Sequence, residues 1–179
     1  AFNWVKIKMV FKLISRLVNG VKEGVSASLK GTADVASKVV EVTKDVTVSV
    51  LRETGDVAKE ALDVPASIVN GAFHGVTAVG ASVITAVKGV VQGTVAGLME
   101  SGHEKDAAIG GAVAQSLHSA KELGLNVGEA AVESVKGAVD AVKQIGGDTV
   151  DATNTAVKAA VKDAKDLVAD AVDTVKNSL

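Results

Sequence analysis

Apolar residues in this chain return every eleven positions, and that recurrence limits the fold more than any other feature. One phase runs through Val35, Val46, Val57, Ile68, Val79 and Val90, and a second through Val39, Val50, Ala61, Ala72 and Val83. Near the carboxyl end, Val135, Val157, Val168 and Leu179 share a phase. Val139, Val150, Val161 and Val172 share another, and Val142, Ala164 and Val175 a third. Eleven residues over three helical turns is about 3.67 per turn, so the stripe stays nearly straight. Lys, Asp, Glu, Thr and Asn occupy the opposite side. The fold class expected is all-α: elongated amphipathic helices, either extended or folded back as an open helical hairpin or bundle.

Breaks in the pattern divide the chain into four parts. Residues 1–22 form a basic amphipathic helix. Residues 23–99 form a long arm that turns from amphipathic to apolar, with a restart or kink at 63–65, where Pro65 is tolerated in a first helical turn. Residues 100–128 are a glycine-containing hinge with a short helix from Ala112 to Leu123, closed by Gly124. Residues 129–179 form the last amphipathic helix. Asn126 and Glu129 have the spacing of a capping box at its start, and Gly146–Gly147 before Asp148 marks a kink or recapping within it.

Charge is uneven. Formal net charge is −2, yet Lys6, Lys8, Lys12, Arg16 and Lys22 all precede the first acid, Glu23. A general nucleic-acid binder is disfavoured, since only this end offers a positive footprint. On a helix, Trp4, Ile7, Phe11, Ile14 and Val18 share one side, flanked by Lys8, Lys12 and Arg16. Aromatic residues beside bases suit an anionic membrane interface. A helix packed within an assembly and a targeting remnant are the alternatives. From Val64 to Met99, Lys88 is the sole charged residue. Val64–Val87 is long enough to span a bilayer, but Asn70, His74 and several Gly, Ser and Thr favour a surface-lying or protein-packed helix. Gly71–Gly75 and Gly89–Gly93–Gly97 are spaced for close helix packing.

The chemistry of catalysis is not in evidence. The chain has no Cys and three His, so thiolate metal sites and disulfides are excluded. His103 with Glu100 is half of a metal-bundle motif whose second half is missing. His74 is expected as a polar contact between helices. No Ser-His-Asp set can be placed, and no glycine pair follows a strand to cradle phosphate. The expectation is a non-enzyme with no cofactor and no metal.

Val21-Lys22-Glu23-Gly24-Val25 resembles the core of a synuclein repeat, and the Gly, Val, Thr and Ala texture of residues 71–98 is similar to that family's apolar middle. The eleven-residue pattern also resembles perilipin-type lipid-droplet coats and exchangeable apolipoproteins. The recurrent Lys-Thr-Lys element and the acidic, proline-bearing tail of synucleins are missing. Desiccation proteins share the period but are far more hydrophilic than a chain of mean hydropathy +0.32. The resemblance implies a non-catalytic structural protein, membrane-associated or on a lipid-particle surface, coating it in multiple copies through long amphipathic helices. The alternative is a helical subunit of a filament, shell or large membrane-associated complex, packed on copies of itself or other helical proteins by Val and Ala ridges.

Overall fold

Four glycines, Gly80, Gly102, Gly124 and Gly146, have φ of 75°, 87°, 73° and 78° and stand 22 residues apart. Each closes a helix in the same way. In a computed structural model describing residues 4–54, 63–167 and 175–178 (backbone only at 4–7, 9–11, 13 and 54), the amide of the residue after the glycine reaches back to the last helical turn. Ala81 N–H donates to Val76 O, His103 to Leu98, Leu125 to Ala120 and Gly147 to Val142. The glycine amides donate to Thr77, Met99, Lys121 and Lys143. This is the Schellman arrangement, which needs a left-handed residue that glycine adopts without steric cost.

The cap of the next helix stands two residues beyond each glycine. Asn126 Oδ1 accepts from Glu129 N–H at 2.9 Å, and Asp148 Oδ1 accepts from Val150 and Asp151 N–H at 3.0 and 3.1 Å. Such caps satisfy amides that a helix start leaves unpaired. Seven helices result among the described residues: α1 (Trp4–Leu29), α2 (Val35–Thr54), α3 (Val64–Ala78), α4 (Val83–Glu100), α5 (Lys105–Glu122), α6 (Val127–Gln144) and α7 (Thr149–Leu167). Residues 175–178 are also helical, and no described residue is in a strand.

Helices two apart lie side by side and parallel. Gly71 and Gly75 of α3 sit against Val18–Val21 and Lys22–Val25 of α1; Gly89, Gly93 and Gly97 of α4 follow α2 from Val39 to Thr47. Gly137 of α6 lies on Lys88 of α4. From α5 to α7 the parallel register is marked by Lys105–Asp151 and His118–Asp163. The protein is therefore an all-helical bundle in two layers, α1-α3-α5-α7 over α2-α4-α6, joined through the packed pairs α1–α2, α3–α4, α4–α5, α5–α6 and α6–α7. Neighbour-on-neighbour stacking of this kind is typical of helical repeats.

This arrangement corrects the expectation of long arms. The 129–179 segment reverses direction at Gly146, and its first helix opens at Val127; the 23–99 arm is interrupted at residues 30–34 and 79–82. The central helix runs Lys105–Glu122, longer than Ala112–Leu123. An 18-residue helix followed by a four-residue turn repeats every 22 residues, twice the expected period, so the sequence pattern is the same as that of a straight helix. The burial differs. Ile68, Val90, Ala112, Ser134 and Ala156, each 22 apart, are all fully buried. Val79, midway between Ile68 and Val90, is instead a half-exposed helix end.

The 64–99 stretch, charged only at Lys88, is the middle hairpin, α3 and α4, covered on one side by α1 and α2 and on the other by α5 and α6. Burial on both flanks accounts for its lack of charge. The restart at 63–65 is a capped helix start, with Asp63 accepting from Ala66 N–H at 3.4 Å and Pro65 in the first turn. No described helix is long and apolar enough to cross a membrane. The Val64–Val87 span considered above is divided by the turn at 79–82.

Glycine contacts differ enough to be tested against each other. A Cβ at Gly137 would strike the Lys88 carbonyl, whereas one at Gly110 would meet nothing within 4 Å. Gly137→Ala should destabilise by about 1–3 kcal/mol in urea unfolding, as overpacking does. Gly110→Ala should be neutral or stabilise by up to about 1 kcal/mol. Equal effects would contradict the described packing.

Candidate interaction surface

The apolar positions read from the sequence are largely turned inward. Ile68, Val90, Val135, Val142 and Val175 are buried. Val35, Val46, Val79, Val139, Val157 and Val161 are half-buried against the core. Val57, Val168, Val172 and Leu179 lie outside the described residues. In α7 the fully buried stripe is Ala152, Ala156, Ala160 and Ala164, with the valines beside it. Small side chains let α7 approach closely, and Val150 is left 70% exposed.

Residues that sequence reasoning linked to metal chemistry are used otherwise. Glu100 pairs with Lys44 of α2 at 3.6 Å. His103 occupies the α4–α5 turn, where its amide donates to Leu98 O. His118 lies 3.7 Å from Asp163. No group of three metal-ligating side chains forms among the described residues. His74 is exposed on α3; it borders a shallow groove with Lys22, Asn70 and Glu122. It is not a contact between helices, as it sits opposite buried Ile68, Ala72 and Val76.

The basic end of α1 is divided between two environments. Leu17, Val21, Val25 and Leu29 are buried and Ile14 and Val18 half-buried, while Lys8, Lys12 and Arg16 are exposed. The side chains of Trp4, Ile7 and Phe11 lie outside the described ones. Alignment of Gly71 with Val18 puts Val64 level with Phe11. The first seven residues of α1, about 10 Å of helix, thus run past the start of α3.

Ion pairs connect neighbouring units along both layers: Lys88–Asp140 at 3.3 Å, Lys44–Glu100, and Lys105–Asp151 at 2.5 Å. The last, with Asp151 accepting from the ammonium, holds Lys105 above the usual lysine range. Exposed pairs like these contribute little stability individually. Their use here is to fix register.

Buried hydroxyls were not anticipated from the sequence. Ser116 and Ser134 meet between α5 and α6 in a short contact. One hydroxyl donates across this contact and the other to a carbonyl of its own helix, Val113 O for Ser116 or Ala130 O for Ser134. Thr43 and Thr94, fully buried near the α2–α4 contact, have hydroxyls with no partner among the described residues. Thr47, one turn on, donates to Thr43 O at 2.6 Å. An unpartnered buried hydroxyl costs about 1–3 kcal/mol. Thr43→Val and Thr94→Val should therefore each raise stability by about 1 kcal/mol, and Thr47→Val should gain less or lose, measured by urea unfolding.

No family model and no curated protein matches the chain.

Proposed function

We propose that this chain is a non-catalytic structural protein that binds a lipid or membrane surface, present there in multiple copies, with the leading part of α1 as its first contact. The observation that supports this is the exposed row Lys8, Lys12 and Arg16 on a helix whose opening sequence also carries Trp4, Ile7 and Phe11 and runs past its neighbour. Bases attract anionic headgroups, and aromatic rings settle at headgroup depth. Because the valine stripes pack against the chain's own helices, lipid contact is confined to this end and to outward-facing polar surfaces. Coating by long, fully splayed helices would require the bundle to open.

Trp4 is the only tryptophan, so its fluorescence reports on this contact alone. Anionic vesicles should blue-shift its emission and neutral ones should do so much less. Replacing Trp4 and Phe11 by Ala should weaken vesicle binding about 10-fold or more, since burial of large apolar side chains is worth about 1.5–3 kcal/mol each. Equal binding to both vesicle types, or unaltered binding by the double variant, would contradict the proposal.

A second reading, a helical subunit packed on its own copies, is favoured by Ile145 and Val150, exposed at 47% and 70% around the α6–α7 turn. Concentration-dependent sedimentation abolished by Val150→Lys would support it.

A further inference from the structure

The two broad faces of the bundle differ in how their bases are used. In α2-α4-α6, Lys44, Lys88 and Lys136 each face a carboxylate, those of Glu100, Asp140 and Glu133. The exposed Lys38, Arg52 and Lys143, which have no ion pair with a described residue, stand singly and form no row. On the outer side of α1-α3-α5-α7, two rows of bases have no ion pair with a described residue: Lys8, Lys12, Arg16 and Lys22 on α1, and Lys158, Lys162 and Lys165 on α7. Both rows point away from the second layer. In α1, Lys8, Lys12 and Arg16 oppose the buried Leu17, Val21 and Val25 while Lys22 borders the groove toward α3, and in α7 the lysines oppose the buried Ala156, Ala160 and Ala164.

Between the rows the face is built mostly of small residues. α3 contributes Ala66, Asn70, His74 and Thr77, and α5 contributes Ala107, Gly110 and Ala114 together with the exposed His118 and Lys121, which are engaged by Asp163 and the Leu167 carbonyl. Glu23, Asp106, Glu122, Asp151 and Asp166 lie at its ends and edges. Three interhelical spacings of 8–10 Å separate the rows by roughly 25–30 Å. A flat, anionic plane can touch both rows together.

We infer that the α1-α3-α5-α7 face lies flat against an anionic lipid surface, with the α7 lysines as a second, distant set of headgroup contacts. This rests on the lipid reading proposed above and adds the orientation. A lipid plane fits better than a nucleic acid. The strip between the rows exposes no Phe, Tyr or Trp for bases to stack on, only the imidazoles of His74 and His118, and α1, whose sequence carries Trp4 and Phe11, is the edge helix of this same layer.

The test uses the full chain and vesicles of phosphatidylserine and phosphatidylcholine, with phosphatidylcholine alone as reference. Lys158→Gln, Lys162→Gln and Lys165→Gln are combined in one variant; Lys38→Gln, Arg52→Gln and Lys143→Gln, exposed bases of the opposite layer, are combined in another. Glutamine preserves helix propensity. A base near an anionic surface is worth about fivefold in affinity, so the α7 variant should bind roughly 10- to 100-fold more weakly and the opposite-layer variant within about threefold of the parent. Lysine acetylation footprinting of the unmodified chain gives a readout independent of variant folding. Lys158, Lys162 and Lys165 should be protected by vesicles, and Lys38 and Lys143 should not.

An unchanged α7 variant, equal losses in both variants, or equal protection of both faces would overturn this orientation while Trp4 still reports binding. If the parent chain leaves Trp4 emission unmoved on anionic vesicles, the lipid reading itself fails. Tighter binding of duplex DNA through the same lysines would overturn the choice of partner.

Discussion

Close approach between helices two units apart is the contact on which the bundle depends. Gly93 on α4 stands so near α2 that a Cβ would lie 2.5 Å from Val40 O, and Gly71 on α3 so near α1 that it would lie 2.6 Å from Val18 O. No other residue permits backbone to meet backbone in this way. Gly71, Gly93 and Gly137 occupy one position of the 22-residue unit, and the same unit supplies the turn glycine that precedes the next helix. With Phe73 the largest fully buried side chain among the described residues, the core gains its contacts from proximity and less from side-chain bulk. Dense packing of small groups can serve as well as large ones, provided that voids are avoided.

The same economy explains the uneven chemistry of the chain. Of the helices with neighbours on both flanks, α3 and α4 carry little charge, Lys88 being their one base, while α5 keeps its charges to its two ends, at Lys105 and Asp106 and at Lys121 and Glu122. Helices nearer the ends of the stack carry the charged residues. Where two units meet at the surface, opposite charges face each other, as in Lys88–Asp140. The face formed by α1, α3, α5 and α7 follows that rule between α5 and α7, in Lys105–Asp151 and His118–Asp163, but the outward bases of α1 and the Lys158, Lys162 and Lys165 row of α7 have no ion pair with a described carboxylate. The departure gives this layer a polarity that a symmetric bundle would lack.

The all-helical class and several local signals were legible from residues alone. Asn126 and Glu129 marked a helix start, because cap chemistry acts over three or four residues, whereas Pro65 left 63–65 open between a restart and a kink until the Asp63 cap decided it. The close-packing glycines were visible as four-residue spacings. The turn at Gly80 was not, since Val79 and Val83 continue the apolar phases straight through it. A helix-turn unit of 22 residues and a straight helix of eleven-residue repeats leave nearly the same hydrophobic pattern, so periodicity does not choose between them. In α7 the seam is shared. Val157 and Val161 pack half-buried against the core, while Ala152, Ala156, Ala160 and Ala164 take the innermost positions, a division that hydrophobicity, which ranks Val above Ala, does not give. Layer membership, which places Lys158, Lys162 and Lys165 on the same face as α1's bases, at its opposite edge, has no local sequence signal at all.

The account stands on the chain sealing its own valine stripes without lipid. Small-angle scattering of the lipid-free monomer, with circular dichroism on the same sample, tests it most directly. A helical spectrum and a radius of gyration of about 16–20 Å are predicted, near the value for a compact chain of this length. A disordered spectrum with a radius approaching roughly 45 Å, and helix appearing only on addition of vesicles, would contradict it.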